Sequence, residues 1–163
     1  MRTKTIYGLL LFMESAFFIY TIPSASAASA EEEVLQVETN FVKAHNTNDY
    51  GLMCSLYGKS PKTSSFVPPQ DNPFLIQGSE EIENVWKFLS EIPKGTYSIT
   101  FHHPQVTMLK DDVAVITSYN NVVYTDPSTK AQTVDHIRHT LVVQKIGGKW
   151  LIVHDHGSNF SEK

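Results

Sequence analysis

Near its C-terminal end the chain reads KWLIVHDHGS over residues 149–158. His154 and His156 stand two apart, with Asp155 between them. In an extended strand residues i and i+2 share a face. The spacing therefore points both imidazoles one way and the carboxylate the other. Three chemistries fit. His139, His154 and His156 on one face could offer three neutral imidazoles to a metal, as in an open zinc site. His136 would point the other way, and only one of the adjacent His102 and His103 could join. No cysteine or carboxylate ligand stands at a supporting spacing, so neither a metal nor a cofactor is expected. Alternatively, His154 or His156 could move a proton in a dry pocket, with Tyr57 or Tyr119 donating to a developing oxyanion. Finally, the pair could be the polar end of a core strand, satisfied by hydrogen bonds and doing no chemistry.

The element that must position these residues is a hairpin. Gly147-Gly148 is a two-residue turn signal. Pairing Ile146 with Lys149 across it sets His156 opposite His139, His154 opposite Leu141, and Asp155 opposite Thr140. Trp150, Ile152, His154 and His156 then share one face with Val143, Leu141 and His139. Asp155 falls on the other face, diagonal to Arg138, which reads as a structural ion pair. A slip of one residue would exchange the faces.

The remaining elements follow from pattern. EEEVLQVETNFVKAHNTNDY places three glutamates at a helix start, then Val34, Val37, Phe41 and Ala44 at helical spacing, with Leu35, Val42 and His45 beside them. Asp49 is the expected cap of a second short helix containing Leu56 and Tyr57. SFVPPQDNPFLIQG reads as short extended pieces with proline turns. Ser79 is the expected cap of a third helix striped by Ile82, Val85, Trp86 and Leu89, ended by Pro93 and Gly95. Four strands follow, joined by KDD, DPSTK and the glycine pair, rich in Val, Ile, Thr and Tyr. Helices gathered ahead of an antiparallel meander imply an α+β fold with the helices on one face.

The segment RHTLVVQKIGGKWLIVHDHGS, residues 138–158, resembles the last hairpin of the SnoaL-like branch of the nuclear transport factor 2-like superfamily. The association (hub) domain of calcium/calmodulin-dependent protein kinase II carries a similar W-x-x-V-H-x-H ending. Looser matches run through Asn48-Asp49, Leu56-Tyr57, the Gly78-x-Glu80-x-Ile82 helix start and DDVAVIT at 111–117. The resemblance implies a curved antiparallel sheet wrapped around N-terminal helices to form a cone with an apolar cavity, and it implies homodimers. It leaves activity open, because this scaffold carries isomerases, dehydratases, hydrolases and non-catalytic modules.

Export is expected. Arg2 and Lys4 precede an apolar run from Ile6 to Ile22, and small residues follow, as in a secretory signal over 1–27 with cleavage after Ala27 or Ala30. Loss of Arg2, Lys4 and Glu14 with it moves the formal charge from −4 to −5. That balance argues against a nucleic-acid partner, and no later segment could span a bilayer. The rest is a single domain over 31–160 with one cysteine, Cys54, expected as a buried free thiol. The expected function is a secreted or periplasmic SnoaL-like domain that holds a small, mostly apolar molecule. Its candidate pocket residues are Tyr57, Trp86, Tyr119 and His139, with His154 and His156 as candidate catalysts. Cofactor-independent isomerase, lyase or hydrolase chemistry is one form of that function. The alternative is a non-catalytic dimerisation or partner-binding module of the cell envelope. No G-x-S-x-G, Walker loop, C-x-x-C or H-E-x-x-H is present.

Overall fold

Helix α1 (Ala30–Thr47) starts at a capping box: Ser29 accepts from the Glu32 backbone and the Glu32 side chain answers to Ser29. It ends at Asn48 in the left-handed region. Its buried stripe holds Val34, Val37, Phe41 and Ala44 as expected, and also Glu38 and His45. Helix α2 (Tyr50–Leu56) is capped by Asp49, whose carboxylate accepts from the Leu52 amide at 2.8 Å. Helix α3 (Ser79–Ser90) departs from expectation at its start. Gly78 is the boundary residue, no side chain caps the helix, and Ser79 is already helical. The chain enters α3 with φ of +97° at position 78, which glycine adopts without strain. The computed structural model describes residues 28–67 and 74–160. The expected export signal over 1–27 and the turns expected within 68–73 lie outside the described residues.

Six strands follow the order β2-β1-β6-β5-β4-β3 in one sheet. They are β1 (Ser64–Val67), β2 (Phe74–Gln77), β3 (Tyr97–Lys110), β4 (Val113–Thr125), β5 (Gln132–Ile146) and β6 (Lys149–Asn159). The expected antiparallel meander is β3 to β6. β1 and β2 form a short hairpin, and β1 lies parallel against β6. The α+β expectation holds, with a curved, unclosed sheet and the helices against its inner face. Gly147 and Gly148 both have positive φ, +58° and +80°, the backbone a two-residue hairpin turn needs. The core between α1 and the sheet is built on Leu141, Val143, Ile116 and Ile152, all fully buried. Each such side chain contributes about 1.5–3 kcal/mol by leaving water. Lys145 and Trp150 both reach Glu33, at 2.8 and 3.2 Å, and tie the start of α1 to the last hairpin. Cys54 is buried and free. Among the described residues no helix is long and apolar enough to cross a membrane.

Candidate functional site

The site is set by one irregularity in β6. From the turn to Val143 opposite Ile152 the register is the expected one, but the next pair is Val142 with His154. Val153 is an extra residue, a β-bulge. Beyond it the alternation changes phase. Asp155 pairs with Leu141, His156 with Thr140 and Gly157 with His139. The carboxylate therefore joins Trp150 and Ile152 on the inner face, and the two histidines move to the outer one. Asp155 is 4% exposed, whereas His154 is half-buried and His156 exposed. His154 accepts or donates at Ser64 Oγ, 2.9 Å away, and both rings pack against Phe66.

On the inner face Asp155 meets the side chain of His139, which projects from β5 beside Leu141 and Val143. His139 Nε2 lies 3.0 Å from Asp155 Oδ1, and Nδ1 lies 3.2 Å from Glu38 Oε1 of α1. Tyr57 and Ser65 donate to Asp155 Oδ2 at 2.8 and 3.0 Å. Ser118 donates to Glu38 Oε1 at 2.8 Å. Glu38 is fully buried, and its Oε2 has no hydrogen-bond partner among the described residues. An imidazole between two carboxylates donates from both nitrogens only as the cation. Burial works against that charge, but the hydrogen bonds and charges of Asp155 and Glu38 outweigh it and hold His139 up to about 10. Burial likewise raises Asp155, yet bonding to His139, Tyr57 and Ser65 keeps its carboxyl below the usual range. Burial and the Asp155 charge together push the Tyr57 phenol well above its ordinary value. The result is a buried, fixed charge cluster in which both protons of His139 are committed.

Next to this cluster opens a cavity of about 160 Å³. Its walls include Phe41, Trp86, Tyr97, Tyr124, Ile99 and Val122; His139, Asp155, Asn120 and His45 supply its polar part. His45 Nδ1 faces the Tyr97 hydroxyl at 3.2 Å, and its ring meets Phe41 and Trp86 edge-on at 4.6 and 4.7 Å. Burial drives His45 down to about 3, despite the opposing pull of Asp155, so it is neutral near pH 7.

The residues singled out from sequence are thus dispersed. Trp86 and His139 line the cavity. Tyr57 is fully buried behind Asp155 and acts as its hydrogen-bond donor. Tyr119 lies on the outer face, 48% exposed, where it packs on Phe160. The Arg138–Asp155 ion pair is not formed, because the bulge carries Asp155 to the opposite face; Arg138 pairs in register with Ser158 and lies over the Phe160 ring, 5.1 Å from its centre. The shared face required for His139, His154 and His156 to ligate one metal is lost for the same reason. Among the described residues no group of three His, Cys, Asp or Glu is placed to hold a metal. Glu38, Ser65, Ser118, Asn120 and His45 were not identified as site residues. Glu38 left a signal: it falls one turn after Val34 and one turn before Val42 and Phe41, inside the apolar stripe of α1.

A family model for the calcium/calmodulin dependent protein kinase II association domain matches residues 30–161. No curated protein matches the sequence. Several solved structures share the fold. A Xanthomonas campestris protein described as an association domain of the same kinase is 25% identical, with a TM-score of 0.67 over 85% of this chain and 93% of its own. The S. rosetta CaMKII hub is 22% identical, with a TM-score of 0.66 over 82% of this chain and 99% of its own. A nuclear transport factor 2-like superfamily protein from Salmonella enterica is 19% identical, with a TM-score of 0.67 over 82% and 92%. The superfamily expected from the last hairpin is the one these structures share.

Proposed function

The chain belongs to the calcium/calmodulin dependent protein kinase II association domain family, and from that premise we propose that it is an exported, non-catalytic member that holds a small, mostly apolar molecule in its cone. The observation that carries this reading is the aromatic-walled cavity of about 160 Å³ beside the His139–Asp155 pair. An apolar protein cavity of about 150 Å³ accommodates a benzene-sized molecule, and pockets of this kind fix a ligand with a few placed polar groups. Binding is favoured over turnover because the imidazolium at the wall, His139, is held up to about 10 with both nitrogens bonded, and the Asp155 carboxylate beside it is held below its usual range by His139, Tyr57 and Ser65. A general acid or base works best with a value near the working pH. Export is supported by the basic, apolar and small-residue succession of residues 1–30.

The test is binding of small aromatic probes by ligand-observed NMR, comparing the protein with Val122→Phe. Val122 is buried and lines the cavity, so the larger ring fills it. Binding is expected in the parent and absent in the variant, with the fold of both checked by cooperative unfolding. Equal binding by the two would sink the cavity reading. N-terminal sequencing of protein recovered from the host envelope tests export; an intact residue 1 speaks against it. Self-association is a second reading, favoured by membership of an association-domain family and by the hub among its structural neighbours. A monomer by sedimentation at about 100 μM would exclude it.

A further inference from the structure

We propose that the cavity selects its ligand by charge: it takes a small arylalkyl- or alkylammonium ion and rejects the carboxylate of the same shape. This rests on the cavity reading above and deepens it. Four features of the wall argue for it. The rings of Phe41, Trp86, Tyr97 and Tyr124 line the space, and the faces of such rings attract cations. Among the described residues neither lysine nor arginine lines it. The one cationic side chain at the wall, His139, spends both N–H groups on Glu38 and Asp155, which leaves an anion no charged donor.

The third feature is the balance of buried charge. Two carboxylates stand against a single imidazolium, and Glu38 Oε2 has no donor among the described residues. The local field is therefore acidic. An ammonium group carried into this aromatic-walled cavity loses part of its hydration, and the excess negative charge offsets the loss. An anion meets the same field with the opposite sign. The fourth feature is a supply of acceptors. Asp155 Oδ2 already receives Tyr57 and Ser65, but Oδ1 receives only His139, so a carboxylate with about four acceptor sites keeps one open. His45, neutral because burial pushes it down to about 3, presents Nε2 as a lone pair when Nδ1 donates to the Tyr97 hydroxyl. Together these make an aromatic box with an acidic floor.

The experiment compares toluene, benzyl alcohol, benzylamine and benzoate as probes of the full chain at pH 7, with Kd from NMR titration. Benzylamine is expected to bind at least about tenfold more tightly than benzyl alcohol, a difference of about 1.4 kcal/mol, and benzoate most weakly. Glu38→Gln removes one buried negative charge without altering the cavity lining. It should bring the amine-to-alcohol ratio to within about threefold while leaving toluene unchanged. Binding of toluene and benzyl alcohol without a preference for the amine, or tightest binding of benzoate, overturns the charge selection and leaves the cavity reading standing. Failure of all four to bind overturns both. Should Glu38→Gln not fold, the ranking of the four probes on the unaltered protein still decides.

Discussion

Raising the pH from 7 to 8.5 should weaken the fold by about 2 kcal/mol, and His139 is the reason. The unfolded chain carries an ordinary histidine that loses its proton around 6.5, whereas the folded chain keeps the His139 proton up to about 10. The stabilisation from the charged ring is therefore complete below 6.5 and declines as pH rises toward 10. Across that window folding retains one proton that unfolding releases, which corresponds to about 1.4 kcal/mol per pH unit. Over one and a half units the loss is about 2 kcal/mol. The upper limit of 8.5 keeps Cys54 out of the reckoning, because burial raises that thiol above its ordinary value of 9.0. Urea unfolding followed by far-UV circular dichroism at pH 7, 7.75 and 8.5 measures it. For a domain of this size, with an m-value of about 2 kcal/mol/M, the midpoint should fall by about 1 M. A midpoint constant across the range would mean that His139 is not an imidazolium between two carboxylates, and the account of the cluster would fail.

Acidification acts through a different ring. His45 refuses its proton in the folded state until about 3, so below 6.5 the unfolded chain takes up a proton that the native one does not. Lowering the pH from 6.5 to 5 should cost about 1.5 kcal/mol, and His45→Phe should abolish most of that slope in the same urea assay. Tyr57→Phe removes a hydrogen bond to the Asp155 carboxylate and should destabilise by about 1.5–3 kcal/mol; a change below about 0.5 kcal/mol would contradict the cluster. His154→Ala and His156→Ala, on the outer face, should leave probe binding in the cavity unchanged, and loss of binding in either would place them back at the site. Deletion of Val153 would return β6 to strict alternation with His154 still opposite Val142 and Asp155 still opposite Leu141, on the inner face. The charge cluster should then survive and the variant should still unfold cooperatively; loss of cooperative unfolding would contradict the assignment of Val153 as the extra residue.

The fold could be read in the chain because its signals are local and mutually consistent. The apolar stripe Val34–Val37–Phe41–Ala44, the Asp49 cap and the Gly147-Gly148 turn each have one ready structural meaning. The site escaped because it depends on phase. WLIV offers four apolar residues in a row, so either of two alternations satisfies the inner face, and nothing in the composition marks Val153 as the residue where one gives way to the other. A strict two-residue period carried from the turn thus assigned His154, Asp155 and His156 each to the wrong side. His139 was assigned to the inner face correctly, since β5 keeps its alternation past the bulge on the neighbouring strand. That Glu38 meets His139 and that Ser65 meets Asp155 escaped for another reason. These partners lie 101 and 90 positions apart, and only the assembly of the sheet brings them together.

That distance also has a kinetic meaning. Tyr57 and Asp155 are separated by 98 residues, Ser65 and Asp155 by 90, and Glu38 and His139 by 101. The hairpins of the meander close over a few residues each, and short loops close first. The charge cluster needs α1, α2, β1, β5 and β6 to converge, so it is expected to form on the native side of the folding barrier. Its energy should therefore lengthen the lifetime of the folded protein without speeding its formation. In stopped-flow experiments Tyr57→Phe should accelerate unfolding about tenfold or more and leave the refolding rate nearly unchanged. Buried at the meeting point of its most distant segments, the cluster acts as a latch rather than a guide.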